Sequence, residues 1–351
     1  TKERTEGFSA EQLTKLILKH KLTCPECKSY LQPVSVLNMM FPLQMGATTG
    51  NRAYLRPETA QSPYVNFKLQ YEAQRKKLPL GLAMIGRAYR NEISPRNLTL
   101  RQREFTQAEL QIFFDPSKIE SHPDFGDVKN YKLRTLLEED RKKDKVVERT
   151  ASDLLKKGLP QFYVYHLAKI QQFYLDELKV PPEKFRLYQL DDQEKAFYNK
   201  YHFDIEVELH ELGFTEIGGL HYRTDHDLAG HQRVSKQSME VMEEESGRKF
   251  IPHVLELSFG SDRSVYMLLD LAYHYNTEKE YVVLKLPTKL TPIYCGIFPL
   301  VKNNEGIVEL AREVYNDLKK CYSCFYDETA AVGRRYARAD EIGIKYGITI
   351  D

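Results

Sequence analysis

The sequence predicts an α+β chain in which an antiparallel sheet flanked by helices is followed by a smaller α/β domain. Three patterns carry this expectation. From Leu80 to Phe114 the apolar positions recur with period two, interrupted by a polar loop, as in two antiparallel strands joined by a long connection. From Gln161 to Leu178 the period becomes helical. After Pro287 a compact strand–helix–strand–helix–strand alternation begins, which is the pattern of a separate α/β unit. A length of 351 residues also exceeds the roughly 250 to 300 residues at which single cores stop growing. Two domains are expected, 1–287 and 288–351, the second incomplete at its C-terminus.

Taken in order, Leu13, Ile17 and Leu18 sit at helical spacing between Glu11 and His20, and a cysteine-containing turn follows. The two strands of 80–114 come next. An insertion is expected at about 116–160, and its stretch Asp127 to Arg149 is more than half charged with both signs interleaved. That mixture reads as a solvated helical insertion and not as an RNA-binding tail. After the helix of 161–178, strands are expected at Lys184 to Tyr188, Asp204 to Glu208 and Gly213 to Leu220. In the second domain Ile293 to Leu300 reads as a strand, and Ile307, Leu310, Ala311, Val314 and Leu318 mark one face of a helix. A short strand near Phe325, a basic helix from Gly333 and a strand at Gly347 to Ile350 complete the pattern.

The charge balance is nearly even, 51 basic against 50 acidic side chains. Nucleic-acid binding must therefore come from local patches and not from a global field. No apolar run approaches the roughly 20 residues of a membrane helix, and no leader sequence is visible at Thr1. A cytoplasmic location and no membrane association are expected. Five cysteines, an odd number, fit a reducing compartment. Cys24 and Cys27 have the spacing of half a zinc knuckle, but a closed site needs four ligands and no matching pair lies nearby, so zinc is not expected there. Cys321 and Cys324 stand beside apolar residues and read as structural.

The segment from Arg90 to Glu109 carries the most chemistry. Strand residues two apart share a face, so Arg90 and Glu92 are expected to project together from the first strand, and Arg101, Phe105 and Glu109 from the second. Guanidinium forks suit phosphate oxygens, an aromatic face suits a purine, and carboxylates suit an ammonium or an adenine amino group. Such a surface suits ATP beside an amino acid; standing alone, it also suits a salt-bridged sheet. No Gly-x-x-x-x-Gly-Lys loop or Gly-x-Gly-x-x-Gly turn is present. Histidines such as His221 and His231 read as hydrogen-bonded structural residues and not as bases.

Arg90-x-Glu92, a variable loop, then Arg101-x-x-x-Phe105 and an acidic residue resembles the second signature of the class II aminoacyl-tRNA synthetases. Tyr54-Leu-Arg-Pro-Glu-Thr-Ala-Gln61 resembles another element of that class, and Arg90-Asn-Glu-Ile-Ser-Pro-Arg96 is similar to the form found in glycyl-tRNA synthetases of the archaeal and eukaryotic type. Glu216 to Leu228 is similar to that family's glycine-site segment, Pro252 to Arg263 to its third signature, and Val332 to Gly343 to its anticodon-domain segment. The resemblance covers nearly the whole chain. It implies a class II catalytic domain with a C-terminal α/β anticodon-binding domain. The implied activity is that of a glycine-tRNA ligase, which activates glycine with ATP and Mg²⁺ and transfers it to tRNA(Gly). A homodimer is implied too, although the first class II signature, which forms the family's dimer interface, is not recognisable before Phe41.

Carried over by position, the resemblance assigns ATP to Arg90, Asn91, Glu92, Arg101, Gln102, Phe105, Glu216, Ile217 and Arg263, with Arg90 and Arg263 catalytic. Glycine falls to Glu58, Glu109, Arg223, Glu256, Leu257 and Ser258, with Asp225 close by, and tRNA to Arg334, Arg335 and Arg338. No protein metal site is implied. The chain departs from the family at Asp262, where the third signature has Gly, and at Leu257, where it has Pro. Asp262 either faces the nucleotide or caps the helix that begins at Ser261 or Asp262; the cap is the more ordinary role. Two other readings are a synthetase-like protein that binds tRNA without catalysis and a class II enzyme for proline, serine or threonine. Arg90, Arg101 and Arg263 argue against the first, and the glycine-type carboxylates argue against the second.

Overall fold

The computed structural model describes residues 8–46, 50–143, 145–243, 246–278 and 280–351. Thr1, and Asp144 within the charged stretch, lie outside them. Helix α1 (Ala10–Lys19) opens with a capping box in which Ser9 and Gln12 satisfy each other's backbone amides. Strands β1 (Pro42–Met45) and β2 (Asn51–Tyr54) form a two-stranded ribbon, followed by α2 (Gln61–Ala73). The period-two segments become β3 (Leu80–Tyr89) and β4 (Glu104–Phe114), paired antiparallel with Leu80 opposite Phe113 and Tyr89 opposite Glu104. Then come β5 (Lys132–Leu136), β6 (Val147–Thr150), α3 (Ala151–Lys156), α4 (Gln161–Gln172), β7 (Phe185–Gln189), β8 (Tyr201–Leu209), β9 (Gly213–Thr224) and α5 (His226–Ser235). A small ribbon of β10 (Val241–Met242) and β11 (Lys249–Phe250) precedes β12 (His253–Gly260) and α6 (Ser261–Ala272).

Eight of these strands form one sheet in the order β3-β4-β12-β9-β8-β7-β5-β6. The pairs β3/β4, β4/β12, β12/β9 and β5/β6 are antiparallel, whereas β5 and β7 run parallel, so the sheet is mixed. Neighbouring residues at the end of β4 show how the layers are set. Phe113 stacks on Phe67 of α2 at 4.5 Å, while Phe114 stacks on Phe162 of α4 at 4.5 Å. Because successive side chains leave a strand on opposite faces, α2 and α4 cover opposite faces of the sheet. Tyr64, Phe67, Leu80, Phe113 and Val254 are buried together under α2.

The charged stretch is not the helical insertion expected from its composition. Residues 132–136 and 147–150 are strands β5 and β6, with Leu133, Thr135 and Leu136 buried. The charges are accommodated in pairs: Arg141 meets Glu194 at 2.7 Å and Arg149 meets Asp140 at 2.9 Å. Interleaved signs here reflect ion pairing along a sheet edge and not a solvated helix.

Contacts divide the chain into two compact units. One comprises residues up to Lys169 with Arg186–Glu206 and Glu216–Arg263; the other comprises Ile170–Phe185, Val207–Thr215 and Ser264–Asp351. In the second, β13 (Tyr273–Asn276) and β14 (Tyr281–Leu284) form a ribbon. The C-terminal alternation is then realised as β15 (Cys295–Pro299), α7 (Glu305–Leu318), β16 (Cys324–Tyr326), α8 (Val332–Glu341) and β17 (Tyr346–Ile350). The three strands are parallel in the order β16-β15-β17, with Cys295, Ile297 and Ala311 at the centre of the core.

Candidate active site

On the α2 face of the large sheet a cleft of about 490 Å³ opens over β4, β12, β9 and β8. Strand alternation builds its floor: Phe105, Gln107 and Glu109 of β4 share one parity, Glu256, Ser258 and Gly260 of β12 another, and all line the cleft. The registers bring them side by side, with Glu109 opposite Ser258 and Glu256 opposite His221.

Arg90, Glu92 and Arg101 also line the cleft, but the strand-parity argument for them fails. Strand β3 ends at Tyr89 and β4 begins at Glu104, so all three lie in the connection between the strands. Other contacts place them there. Arg90 donates from Nε to the Pro57 carbonyl at 3.2 Å, its guanidinium lies 5.2 Å from the Phe105 ring centroid, and Arg101 is bridged to Arg96. Parity holds for Phe105 and Glu109. Gln102, Glu216, Ile217 and Arg263 complete the outer part of the cleft. Arg263 donates to the carbonyls of Leu100 at 3.2 Å and Glu216 at 3.0 Å, and its guanidinium is 3.3 Å from the Glu216 carboxylate.

Two assigned residues do not line the cleft. Leu257 alternates with Glu256 and Ser258 and is buried on the opposite face of β12, while Asn91 stands behind the lining residue Met39, to whose carbonyl it donates its backbone amide at 2.7 Å. Asp225, expected close by, is also not among the lining residues. Asp262 takes neither of its two expected roles cleanly. It borders the cleft, but its Oδ2 accepts the backbone N–H of Thr106 at 2.6 Å. The carboxylate thus fastens the first turn of α6 to the start of β4 and does not cap its own helix.

The inner end of the cleft holds three carboxylates in contrasting states. Glu256 is buried and fully engaged: its Oε2 accepts from Arg223 at 3.0 Å, Gln111 at 2.9 Å and Tyr64 at 3.3 Å, and its Oε1 meets His221 Nδ1 at 2.8 Å. Burial alone would raise its pKa, but the His221 hydrogen bond and the Arg223 charge hold it well below the usual carboxylate range. Glu109 is equally buried, yet its Oε2 has no hydrogen-bond partner. Burial first, and then the nearby charge of Glu256, push its pKa up to about 8. Glu58 accepts from Gln61 at 3.1 Å.

Arg223 is locked as well. It forms a two-point pair with Asp227 at 2.8 and 2.9 Å and lies 4.5 Å from the Tyr198 ring centroid. Sequence reasoning missed Tyr64, Gln111, Tyr198, His202 and Asp227. The Asp227 pairing lies within the Arg223–Leu228 segment and could have been suspected; the others are far apart in the chain and left no local signal. The hydrogen-bonded reading of His221 and His231 agrees with their bonds to Glu256 and to Gln61 (2.9 Å).

In the C-terminal unit, Arg334 is exposed on α8. Arg335, expected to contact tRNA, is 1% exposed and donates to the carbonyls of Pro299, Glu328, Thr329 and Ala330. It staples the loop before α8 and has no face for RNA. Arg338 binds Asp327 at 2.9 Å and is partly exposed. Cys295 packs its Sγ 3.3 Å from that of Cys324, while Cys321, read as structural, is exposed. Among the described residues no group of three or more His, Cys, Asp or Glu is arranged to hold a metal ion.

The family model for the tRNA synthetase class II core domain (G, H, P, S and T) matches residues 43–271, and that for an anticodon binding domain matches residues 294–351. The glycine--tRNA ligase of Pyrococcus abyssi is 36% identical, with the alignment covering 99% of this chain and 74% of that protein. The glycine--tRNA ligase of Methanothrix thermoacetophila is 32% identical over 99% of this chain and 73% of its own length. Among solved structures, prolyl-tRNA synthetase from Cryptosporidium parvum, complexed with L-proline and AMP, superimposes with a TM-score of 0.57. That match covers 89% of this chain and 54% of the other at 17% identity, a likeness of fold alone. Family models that match both parts of the chain, together with relatives that match nearly all of it, place it in a single lineage: the chain belongs to the glycine--tRNA ligase family of class II aminoacyl-tRNA synthetases.

Proposed function

We propose that the cleft binds ATP at its outer end and glycine at its inner end and joins them as glycyl-adenylate, which then donates glycine to the 3′ end of tRNA(Gly). One observation carries the reading: three arginines and an aromatic ring lie in the same cleft as a buried carboxylate with an unpartnered oxygen. Phe105 offers its face to adenine, with Glu92 for the exocyclic amine. Arg90, Arg101 and Arg263 face the phosphates, and Glu216 and Ile217 border the nucleotide. The ammonium of glycine is met by Glu58, Glu109 and Glu256, near Ser258 and Arg223. An oxygen of the glycine carboxylate forms the new bond to the α-phosphorus while the bond to the bridging oxygen breaks and diphosphate leaves. No side-chain nucleophile is needed, because the substrate supplies its own. Arg90 and Arg263, fixed by backbone carbonyls, neutralise charge as it develops without reorganising.

Mg²⁺ dehydrates reluctantly and is held largely by substrate phosphates with one or two carboxylates. Among the carboxylates that line the outer part of the cleft, Glu216, beside Arg263, would help hold the ion with the substrate phosphates, and the ion would supply charge neutralisation on them. We place the domain boundary at 287/288, which the position of the parallel sheet wholly after it supports. Arg334 and Arg338 are the proposed tRNA contacts of the C-terminal domain, with Arg335 withdrawn. A cytoplasmic homodimer is the proposed working state. No helix of the described residues is long and apolar enough to cross a membrane. The test is Arg90→Ala. Losing a guanidinium aimed at the α-phosphate is expected to lower glycine-dependent ATP–pyrophosphate exchange about 100-fold or more. A well-folded variant with wild-type exchange would refute the assignment.

A further inference from the structure

The floor of the amino-acid end contains a side chain to which the functional reading gives no task. His221 stands on β9 opposite Glu256 of β12, and its Nδ1 lies 2.8 Å from Glu256 Oε1. Glu256 is an ionised acceptor, so the proton of this bond sits on Nδ1. The other three donors to Glu256 all reach Oε2. Among the described residues His221 is therefore the one side-chain donor to Oε1, the oxygen left to meet a ligand's ammonium.

The ring is held on two further sides. A Cβ built on Gly219 would lie 2.6 Å from His221 Nε2, so the imidazole occupies the space above Gly219, and a side chain at that position would have to displace the ring. His202 of β8 meets the ring edge-on, with centroids 4.2 Å apart, and its own Nε2 is 3.1 Å from an Asp204 carboxylate oxygen. Gly219 is itself opposite Ser258, beside Glu109. His221, His202, Ser258, Glu109 and Glu256 all line the one cleft.

We propose that His221 is a positioning and specificity-determining residue for the amino-acid substrate. Its Nδ1–H fixes the Glu256 carboxylate in the rotamer that presents Oε1 to the substrate ammonium. Its ring, clamped over Gly219, fills floor space that a substrate side chain would otherwise enter. This rests on the proposed placement of glycine among Glu58, Glu109 and Glu256. An amino acid without a side chain gives an enzyme nothing to grip, so selection has to come from filled space, and a rigidly held ring fills it better than a mobile chain.

The two tasks separate by substitution. His221→Asn keeps a donor near the Nδ1 position and loses the ring; His221→Phe keeps a ring and loses the donor; His221→Ala loses both. ATP–pyrophosphate exchange is measured with glycine, alanine and serine, alongside the KM for ATP and the melting temperature as controls for folding. Losing a hydrogen bond to a charged group corresponds to about 10-fold or more in affinity. His221→Ala and His221→Phe are therefore expected to raise the glycine KM about 10-fold with the ATP KM unchanged, and His221→Asn to restore most of it. Filling or emptying one methyl-sized space is worth about 10- to 200-fold. His221→Ala and His221→Asn are thus expected to raise kcat/KM for alanine relative to glycine about 10-fold or more, whereas His221→Phe leaves that ratio near wild type. Glu109→Gln serves as the reference for the glycine site itself. If it leaves the glycine KM unchanged, the placement of glycine is wrong. If it raises the glycine KM while folded His221 variants keep wild-type glycine KM and alanine discrimination, the placement stands and the role of His221 is overturned.

Discussion

Replacing Glu109 by Gln is expected to make the protein more stable and the enzyme worse. Glu109 is 4% exposed, its Oε2 has no hydrogen-bond partner, and burial with the neighbouring Glu256 charge pushes its pKa up to about 8. The folded state therefore holds a proton that the unfolded chain, with an ordinary carboxyl near 4.5, has already released. A raised folded-state pKa contributes stability that is fully present below about pH 4.5 and is lost as pH rises through about 8. Each pH unit in that window corresponds to about 1.4 kcal/mol, so from about pH 5 to about pH 8 the wild type is expected to lose roughly 4 kcal/mol relative to Glu109→Gln, which cannot ionise. Urea unfolding of both proteins across that range reads the difference directly. Function moves the other way. The ammonium of glycine requires the carboxylate, so wild-type kcat/KM for glycine should rise with pH towards about 8. Glu109→Gln should lose that rise and increase the glycine KM about 10- to 100-fold, the range of a hydrogen bond to a charged group. Parallel pH–stability curves for the two proteins would show that Glu109 titrates as an ordinary carboxylate and would refute the reasoning.

Asp262→Gly restores the family residue but strips the Thr106 amide of its acceptor; it is expected to destabilise by about 1 to 3 kcal/mol while keeping the KM for ATP within about threefold, a window of roughly 0.65 kcal/mol. A large change in that constant that varies with Mg²⁺ concentration would instead put the carboxylate on the nucleotide. Arg335→Met leaves four backbone carbonyls without their shared donor. It should unfold the C-terminal domain about 3 kcal/mol more readily and leave pyrophosphate exchange intact; a stable variant with weakened tRNA binding and a reduced salt slope would return Arg335 to the RNA surface.

Patterns local in the chain were legible. The β3/β4 pair announced itself because its two faces see different surroundings, and the helix faces of 161–178 and 307–318 showed a 3.6-residue period. The charged stretch misled because composition reports how many charges there are and not what they meet. Arg141 and Arg149 are ion-paired beside a sheet, and Arg335 is buried among carbonyls, yet all three look solvated in sequence. The site followed the same division. Phe105 and Glu109 share a face by parity, whereas Arg90, Glu92 and Arg101 reach the cleft from a connection whose path no period describes. Glu256 was reached through resemblance. Its partner Gln111, 145 positions away, meets it through register in the sheet, and Tyr64, 192 positions away, meets it through the packing of α2 on that sheet. Register and side-chain partnering depend on the whole fold, and that is the information a single sequence withholds.

The central claim is that one cleft activates glycine with ATP, and the most direct test is tRNA-independent ATP–pyrophosphate exchange with glycine, alanine, proline, serine and threonine offered in turn. Glycine alone is expected to support rapid exchange, with kcat/KM at least about 10-fold above alanine, the scale on which a single methyl group is discriminated. A preference for proline, serine or threonine, or no exchange with any amino acid from a folded protein containing Arg90, Arg101 and Arg263, would contradict the account.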